Sequence, residues 1–130
     1  MLDRLKELQR LNRVMQDLQS KEKSLSKPTI TDPSRICEVK NIVREHCRET
    51  EFSWKDYFIV VALFLYQPKA LIGEKLIDGM RPAFAAALNV REDQVSRFIK
   101  KTRGYLDVYK DFRELCTFIT AIVLDKISHN

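Results

Sequence analysis

Cysteine and histidine are the residue types in this chain that could bind a metal or form a nucleophilic site. His46 and Cys47 are adjacent, and no second pair of ligands stands at the spacing that a zinc site needs. Neighbouring residues on a helix point in different directions, which argues against a nucleophile and its base at these two positions. The three glycines are isolated, so the chain has no glycine loop for phosphate. The sequence therefore predicts a protein that is not an enzyme, with no catalytic residue, metal or cofactor.

Positive charge is the second feature with chemical consequences. The chain has 23 lysines and arginines against 18 aspartates and glutamates, a formal net charge of +5. From Arg91 to Arg103 there are five basic and two acidic residues, whereas residues 104–130 contain three basic and four acidic ones. Phosphate binding requires cations concentrated in one place, so the segment from Arg91 to Arg103 is the best candidate for contact with a polyanion.

Small and apolar residues surround this basic segment in a regular pattern. Residues 81–100 read RPAFAAALNVREDQVSRFIK, with Ala85 placed where two helices would touch. Apolar residues flank a short turn and anchor the second helix, namely Leu88, Val90, Val95 and Phe98 or Ile99. The segment resembles the helix-turn-helix DNA-binding superfamily of bacterial and phage proteins, in which two short helices pack closely at a steep angle. That family usually has glycine in the turn, where this chain has Asn89, a residue that tolerates the left-handed conformation.

The resemblance implies that the second helix enters the major groove of double-stranded DNA. Its exposed residues would then contact base edges and phosphates: Arg91, Gln94, Ser96, Arg97, Lys100, Lys101 and Arg103. Arginine pairs with guanine, and glutamine with adenine, through two hydrogen bonds each, worth about 1–3 kcal/mol of discrimination. Glu92 and Asp93 stand where phosphates approach, but acidic residues there stabilise the start of a helix by opposing its dipole.

The elements that would position this motif are all helices. Residues 28–33 contain two prolines and no periodicity, which predicts a linker between residues 1–27 and a helical domain, 34–130, with the helix-turn-helix at 81–101. Asp32 and Pro33 are suited to begin a helix that ends near Arg48. No segment has the period of a strand, so the predicted fold class is all-α, a helical bundle.

Further helix boundaries follow from capping residues and breakers. Ser53 and Asp56 form a capping box ahead of a long apolar run, which predicts a central buried helix. A shorter helix is expected from Ala70 to Ile77, broken by Asp78 and Gly79. The second helix of the motif is expected to end at about Arg103, because Gly104 interrupts it. Asp107 would cap a last amphipathic helix whose inner face includes Val108.

The first 27 residues have the rhythm of a coiled-coil seam. Leucine and methionine recur at alternating spacings of three and four residues, at Leu8, Leu11, Met15 and Leu18. This amphipathic helix either packs on its own domain or pairs with a second chain. The two-proline linker and the charged outer face favour a homodimer formed through these four residues.

Composition limits the location of the protein. Its longest apolar run, Tyr57 to Tyr66, is too short to span a bilayer, and the N-terminus has no apolar block typical of a signal peptide. An odd number of unpaired cysteines is typical of the cytoplasm. The sequence thus predicts a cytoplasmic protein that recognises DNA sequences, as a regulator or as a replication or packaging accessory factor. The alternative is a helical protein-interaction module that does not bind DNA.

Overall fold

A computed structural model describes residues 1–25, 27–47, 51–76 and 79–128, and the regular secondary structure of these residues is all helical, with no strand. The α-helices are α1 (Leu2–Leu25), α2 (Ile36–His46), α3 (Trp54–Tyr66), α4 (Met80–Leu88), α5 (Glu92–Val108) and α6 (Lys110–Ser128). Two short 3-10 helices, Pro33–Arg35 and Pro68–Ile72, precede α2 and follow α3. The prediction of an all-α bundle is confirmed.

Helix α3 is the centre of the bundle and is packed against α2, α5 and α6. It is apolar on every face from Tyr57 to Leu63, and a helix with no polar face is stable only when other elements surround it. The carboxylate of Asp56 accepts a hydrogen bond from the backbone N–H of Ser53 at 3.1 Å, as the capping residues predicted. The start of the central helix is therefore set locally, and its burial is set by its composition.

Helix α1 contributes nothing to this core, since none of its residues is buried. The segment that follows α1 is attached to the bundle. Thr29 and Ile30 donate backbone hydrogen bonds to the carbonyl of Leu65, at 2.8 and 3.0 Å, and the Tyr66 hydroxyl donates to the carbonyl of Asp32 at 2.7 Å. The contacts with the bundle thus begin at Thr29, close to the end of α1.

The segment after α3 differs from the prediction of a helix between Ala70 and Ile77. The chain forms the 3-10 helix Pro68–Ile72 instead, and Gly73 ends it with a φ of 111°, which glycine adopts without strain. The side chain of Gln67 then donates to the carbonyl of Lys75 at 2.7 Å, a hydrogen bond that favours the loop over a further helical turn. Ile77 and Asp78, like Arg48, lie outside the described residues.

The prediction that a helix ends at Gly104 is wrong. Helix α5 continues to Val108, and α6 starts at Lys110 after the extended residue Tyr109, so that Asp107 does not cap α6. Val108, expected on an inner face, is 71% exposed. A glycine inside a helix costs only about 1 kcal/mol, whereas Tyr105 and Leu106 beyond it pack against the core. This packing outweighs the local preference of one residue.

Candidate nucleic-acid interface

The turn between α4 and α5 is built by backbone hydrogen bonds around Asn89. Asn89 has the left-handed conformation, with φ 56° and ψ 49°, and its N–H donates to the carbonyl of Ala86 at 3.2 Å. The N–H of Val90 donates to the carbonyl of Ala85 at 3.0 Å. These two bonds form a Schellman motif, which ends a helix sharply and redirects the chain. Asparagine thus takes the position that glycine usually occupies.

Helices α4 and α5 pack directly against each other behind this turn. The side chains that hold the pair together are buried in the core, namely Ala85, Leu88, Val95 and Ile99. Val90 and Phe98 are half-buried and pack against the same core. The register predicted from the sequence, with the small residue Ala85 inside, matches this burial pattern.

The outer face of α5 presents two basic side chains, Arg97 and Lys100, three residues apart and both exposed. Within the described part of the chain, no salt bridge is formed by either of them. A groove of about 340 Å³ lies beside them, lined by Val90, Gln94, Arg97, Phe98 and Lys101. This face offers cations to a ligand without first having to break an internal ion pair.

Side chains near the start of α5 make polar contacts within that helix and with α4. Arg91 lies 3.3 Å from the carboxylate of Asp93, and its backbone N–H donates to the side-chain oxygen of Gln94 at 3.2 Å. Ser96 accepts a hydrogen bond from the guanidinium of Arg81 at 2.8 Å, which links the two helices at the surface. Arg81 adds a cation to this surface that the candidate set from the sequence did not include.

Two of the candidate residues turn towards the bundle. The ammonium group of Lys101 lies 3.0 Å from Oδ1 of Asp56 and 4.4 Å from the centre of the Phe98 ring. Asp56 has a side chain only 7% exposed, so Lys101 neutralises a carboxylate that has little contact with water. Arg103 places its guanidinium beside Gly73, where an added Cβ would lie 3.1 Å away. Lys101 and Arg103 are thus engaged with α3 and the loop after the second 3-10 helix.

A second group of cations surrounds Trp54, and sequence reasoning missed it. The Arg44 guanidinium is 4.9 Å from the ring centre, and the Lys40 and Lys55 ammonium groups are 5.5 and 6.0 Å away. Lys40 and Arg44 stand four residues apart on one face of α2, a spacing that could have pointed to a shared patch. Trp54 and Lys55 precede Asp56 in the first turn of α3, and the Asp56 carboxylate is the one that pairs with Lys101.

The described cysteine and histidine side chains do not form a shared site. Nδ1 of His46 lies 2.9 Å from the carbonyl of Ile42, and the Cys47 thiol donates to the carbonyl of Arg44 at 3.6 Å. Burial raises the pKa of the Cys116 thiol to about 12, so this thiol is protonated at neutral pH. Among the residues that the structure describes, no group of three or more His, Cys, Asp or Glu side chains is placed to hold a metal ion.

The four candidate dimerisation residues, Leu8, Leu11, Met15 and Leu18, are all exposed along α1. Their spacing places them in one stripe, so α1 presents an apolar surface that nothing in the described chain covers. No helix in the described ranges combines the length and apolar character required to cross a bilayer. Comparison of the chain with protein-family models, with curated proteins and with solved structures found no match.

Proposed function

We propose that this chain is a DNA-binding protein in which α4 and α5 act as a helix-turn-helix and α5 enters the major groove. The observation that carries the proposal is the Schellman turn at Asn89 together with the burial of Ala85 and the exposure of Arg97 and Lys100. A groove lined by phosphates accepts a helix that belongs to a tightly packed pair and carries basic side chains on its outer face.

The roles of the residues differ along α5. Arg97 is the residue we assign to a base edge, because an unpaired guanidinium can donate two hydrogen bonds to guanine. Lys100 contacts phosphate, since an ammonium group interacts as a point charge and distinguishes bases poorly. Gln94 must release its bond to the Arg91 N–H before it can pair with adenine through both side-chain atoms.

Phosphates flanking the groove are bound by cations outside α5. The Trp54 cluster provides three such cations, from Lys40, Arg44 and Lys55, and Arg81 provides another at the surface of α4. A cation held over an aromatic ring remains positively charged and is positioned for an anion. Each phosphate contact adds about 0.9 to the slope of affinity against salt concentration on logarithmic scales.

The protein acts as a homodimer joined through the stripe of α1, and each subunit binds one half-site. A lone helix of 24 residues with an uncovered apolar stripe gains stability chiefly by packing. Two half-sites extend the sequence that is recognised. They also raise the affinity for DNA, because binding of one subunit raises the effective concentration of the second at its half-site. We assign the protein to the cytoplasm, as a transcriptional regulator or as a replication or packaging accessory factor.

A protein-interaction module is the second candidate function. It is favoured by an apolar groove of about 470 Å³ between α3 and α6, which includes Phe64, a large apolar residue that is 44% exposed. An apolar groove of this kind fits the apolar face of a partner helix. If the protein has this function, it does not bind DNA.

Selection of duplexes from a random pool, followed by fluorescence anisotropy, tests the proposed function. We expect one enriched sequence, bound more tightly than its scrambled control and weakened about 10³-fold between 50 and 200 mM salt, as about six phosphate contacts require. Absence of binding at 50 mM salt, or binding without a salt slope, would contradict the proposal and favour the interaction module.

A further inference from the structure

The apolar stripe of α1 is interrupted by two charged residues of opposite sign. We place Leu8 at position a and Leu11 at position d of the heptad repeat. Position a then also falls on Met1, Met15 and Glu22. The other core position (d) holds Arg4, Leu11, Leu18 and Leu25. Arg4 and Glu22 are fully within the described helix and both are exposed. A coiled coil made from α1 must therefore place these two charges in its seam.

The two possible orientations of a dimer treat these charges in opposite ways. In a parallel dimer each residue faces its own copy, so Arg4 would meet the partner's Arg4 and Glu22 would meet the partner's Glu22. In an antiparallel dimer a residue at position a faces one at position d. An alignment centred between Leu11 and Met15 then brings each Arg4 against Glu22 of the partner subunit. The apolar residues match in the same alignment, because Leu8 faces Leu18 and Leu11 faces Met15.

From this match we propose that two copies of the protein pair through α1 in an antiparallel coiled coil, in the register that places Arg4 against Glu22. The inference rests on the homodimer of the proposed function. Flanking positions agree with it, since such a register brings Glu7 near Lys21 and leaves Val14 beside the two-fold axis. In the single chain Glu7 is paired with exposed Arg10, at 2.6 Å, a surface pair that contributes about 0–1 kcal/mol and can rearrange.

The antiparallel register has a consequence for the way DNA is held. Helix α1 has 24 residues, and at 1.5 Å per residue it is about 36 Å long. The two bundles are attached at the C-terminal ends of α1, which are separated by about that length in the antiparallel dimer. Successive major-groove half-sites on one face of DNA are about 34–36 Å apart. A parallel dimer would instead bring the attachment points to within about 10 Å.

Disulfide cross-linking of the full chain tests the orientation directly. The background carries Cys37→Ser and Cys47→Ser, which removes the two accessible thiols. Two chains of different tagged length, one with Leu8→Cys and one with Leu18→Cys, are mixed and oxidised. We expect a disulfide between the two different chains and little between identical ones. Predominant linkage of Leu8→Cys chains to each other would overturn the antiparallel register.

Charge exchange in the seam gives an independent test by analytical ultracentrifugation. Arg4→Glu and Glu22→Arg each create two like-charge contacts in the antiparallel dimer, and each should raise its dissociation constant by about tenfold or more. The double variant Arg4→Glu/Glu22→Arg restores both pairs and should return the constant to within about threefold of the parent. In a parallel dimer all three variants keep the same number of like-charge contacts, so three equal constants would contradict the proposal.

The outcome for DNA binding is measured separately, so that the two proposals can fail independently. A chain that binds its selected duplex and sediments as a dimer, but cross-links in parallel, overturns only the register. A chain that is monomeric at 50 μM overturns the homodimer and the register together, and it leaves DNA recognition by α5 to be judged by its salt slope and sequence preference. An antiparallel dimer without DNA binding supports the register and contradicts the function.

Discussion

Arg97 and Lys101 lie one helical turn apart on α5, yet their surroundings differ. Arg97 is exposed on the outer face, whereas Lys101 is paired with the buried carboxylate of Asp56 at 3.0 Å. Two cations of the same segment therefore have different consequences when they are removed. One concerns recognition of a ligand, and the other concerns the stability of the fold.

The variant Arg97→Ala should lose discrimination between DNA sequences without loss of stability. We expect affinity for the selected duplex to fall by about 1–3 kcal/mol and affinity for a scrambled duplex to fall much less, because the guanidinium pairs with one base. Anisotropy titrations at fixed salt measure both. Lys110→Ala is the matched control, since Lys110 is exposed on α6 and its ion pair with Glu114 lies at the surface. Equal and small losses on both duplexes would exclude Arg97 from base recognition.

The variant Lys101→Met should destabilise the protein by about 1–3 kcal/mol, because Asp56 then keeps a buried charge with no cation beside it. Among the described residues, Oδ1 of Asp56 has no hydrogen-bond donor with good geometry, so the charge of Lys101 is its main compensation. Urea unfolding measures the change. Lys100→Met is the control and should change stability by less than about 0.5 kcal/mol, since Lys100 is exposed. Similar midpoints for both variants would show that the ion pair contributes nothing.

At the scale of elements, α4 and α5 depend on close packing at one small residue. Ala85 on α4 is buried, whereas its neighbour Ala86 on the same helix is exposed. The pair thus provides a comparison in which helix propensity is constant and only burial differs. The turn after them is stabilised by backbone hydrogen bonds, which a shift of α4 would strain.

The variant Ala85→Leu should overpack the α4–α5 contact and destabilise the protein by about 1–3 kcal/mol. Thermal unfolding would detect this as a lower melting temperature. Ala86→Leu is the matched control and should leave the melting temperature nearly unchanged, because leucine and alanine are both good helix formers and the site is open. If Ala85→Leu were as stable as Ala86→Leu, the proposed register of the two helices would be wrong.

Gly104 within α5 offers a test of how the long helix is held. An added Cβ there meets no atom within 4 Å, and the residue is exposed in the helix interior. Gly104→Ala should therefore raise stability by about 0.5–1 kcal/mol in urea unfolding. Gly79→Ala has equal space but a φ of 91°, so it should lower stability instead. A loss of stability for Gly104→Ala would mean that α5 is bent or broken at this residue.

At the scale of the whole molecule, α1 and the bundle are expected to behave as separate units. Helix α1 buries none of its residues, and the chain from Thr29 onward is hydrogen-bonded to α3. The apolar surface that requires a partner is therefore concentrated in a segment that the bundle does not need for its own core. Assembly and folding can be separated by truncation.

Deletion of residues 1–26 should leave a folded monomer. We expect an unfolding midpoint close to that of the parent, because no core residue is lost. Binding to a duplex with two half-sites should weaken by a factor of about 10² or more, since two linked contacts become one. Binding to a single half-site should stay unchanged and serves as the control. Unfolding of the truncated chain would show that α1 belongs to the core.

The sequence by itself determined the helical class and several element boundaries. Ser53 with Asp56, and Asp32 with Pro33, act within one turn of the chain, so their structural effect could be read locally. The turn at Asn89 followed from the conformational tolerance of asparagine. These features depend on residues a few positions apart, which is the range over which a sequence pattern carries information.

Only the tertiary structure decided which cations face solvent and where α5 ends. Lys101 meets Asp56, and Arg44 meets Trp54, because separate helices are packed side by side. Helix α5 continues through Gly104 because residues beyond it are packed against the core. The free energy gained by burying those side chains is larger than the cost of one glycine in a helix. Contacts of this kind depend on the arrangement of the whole bundle, and no local pattern specifies them.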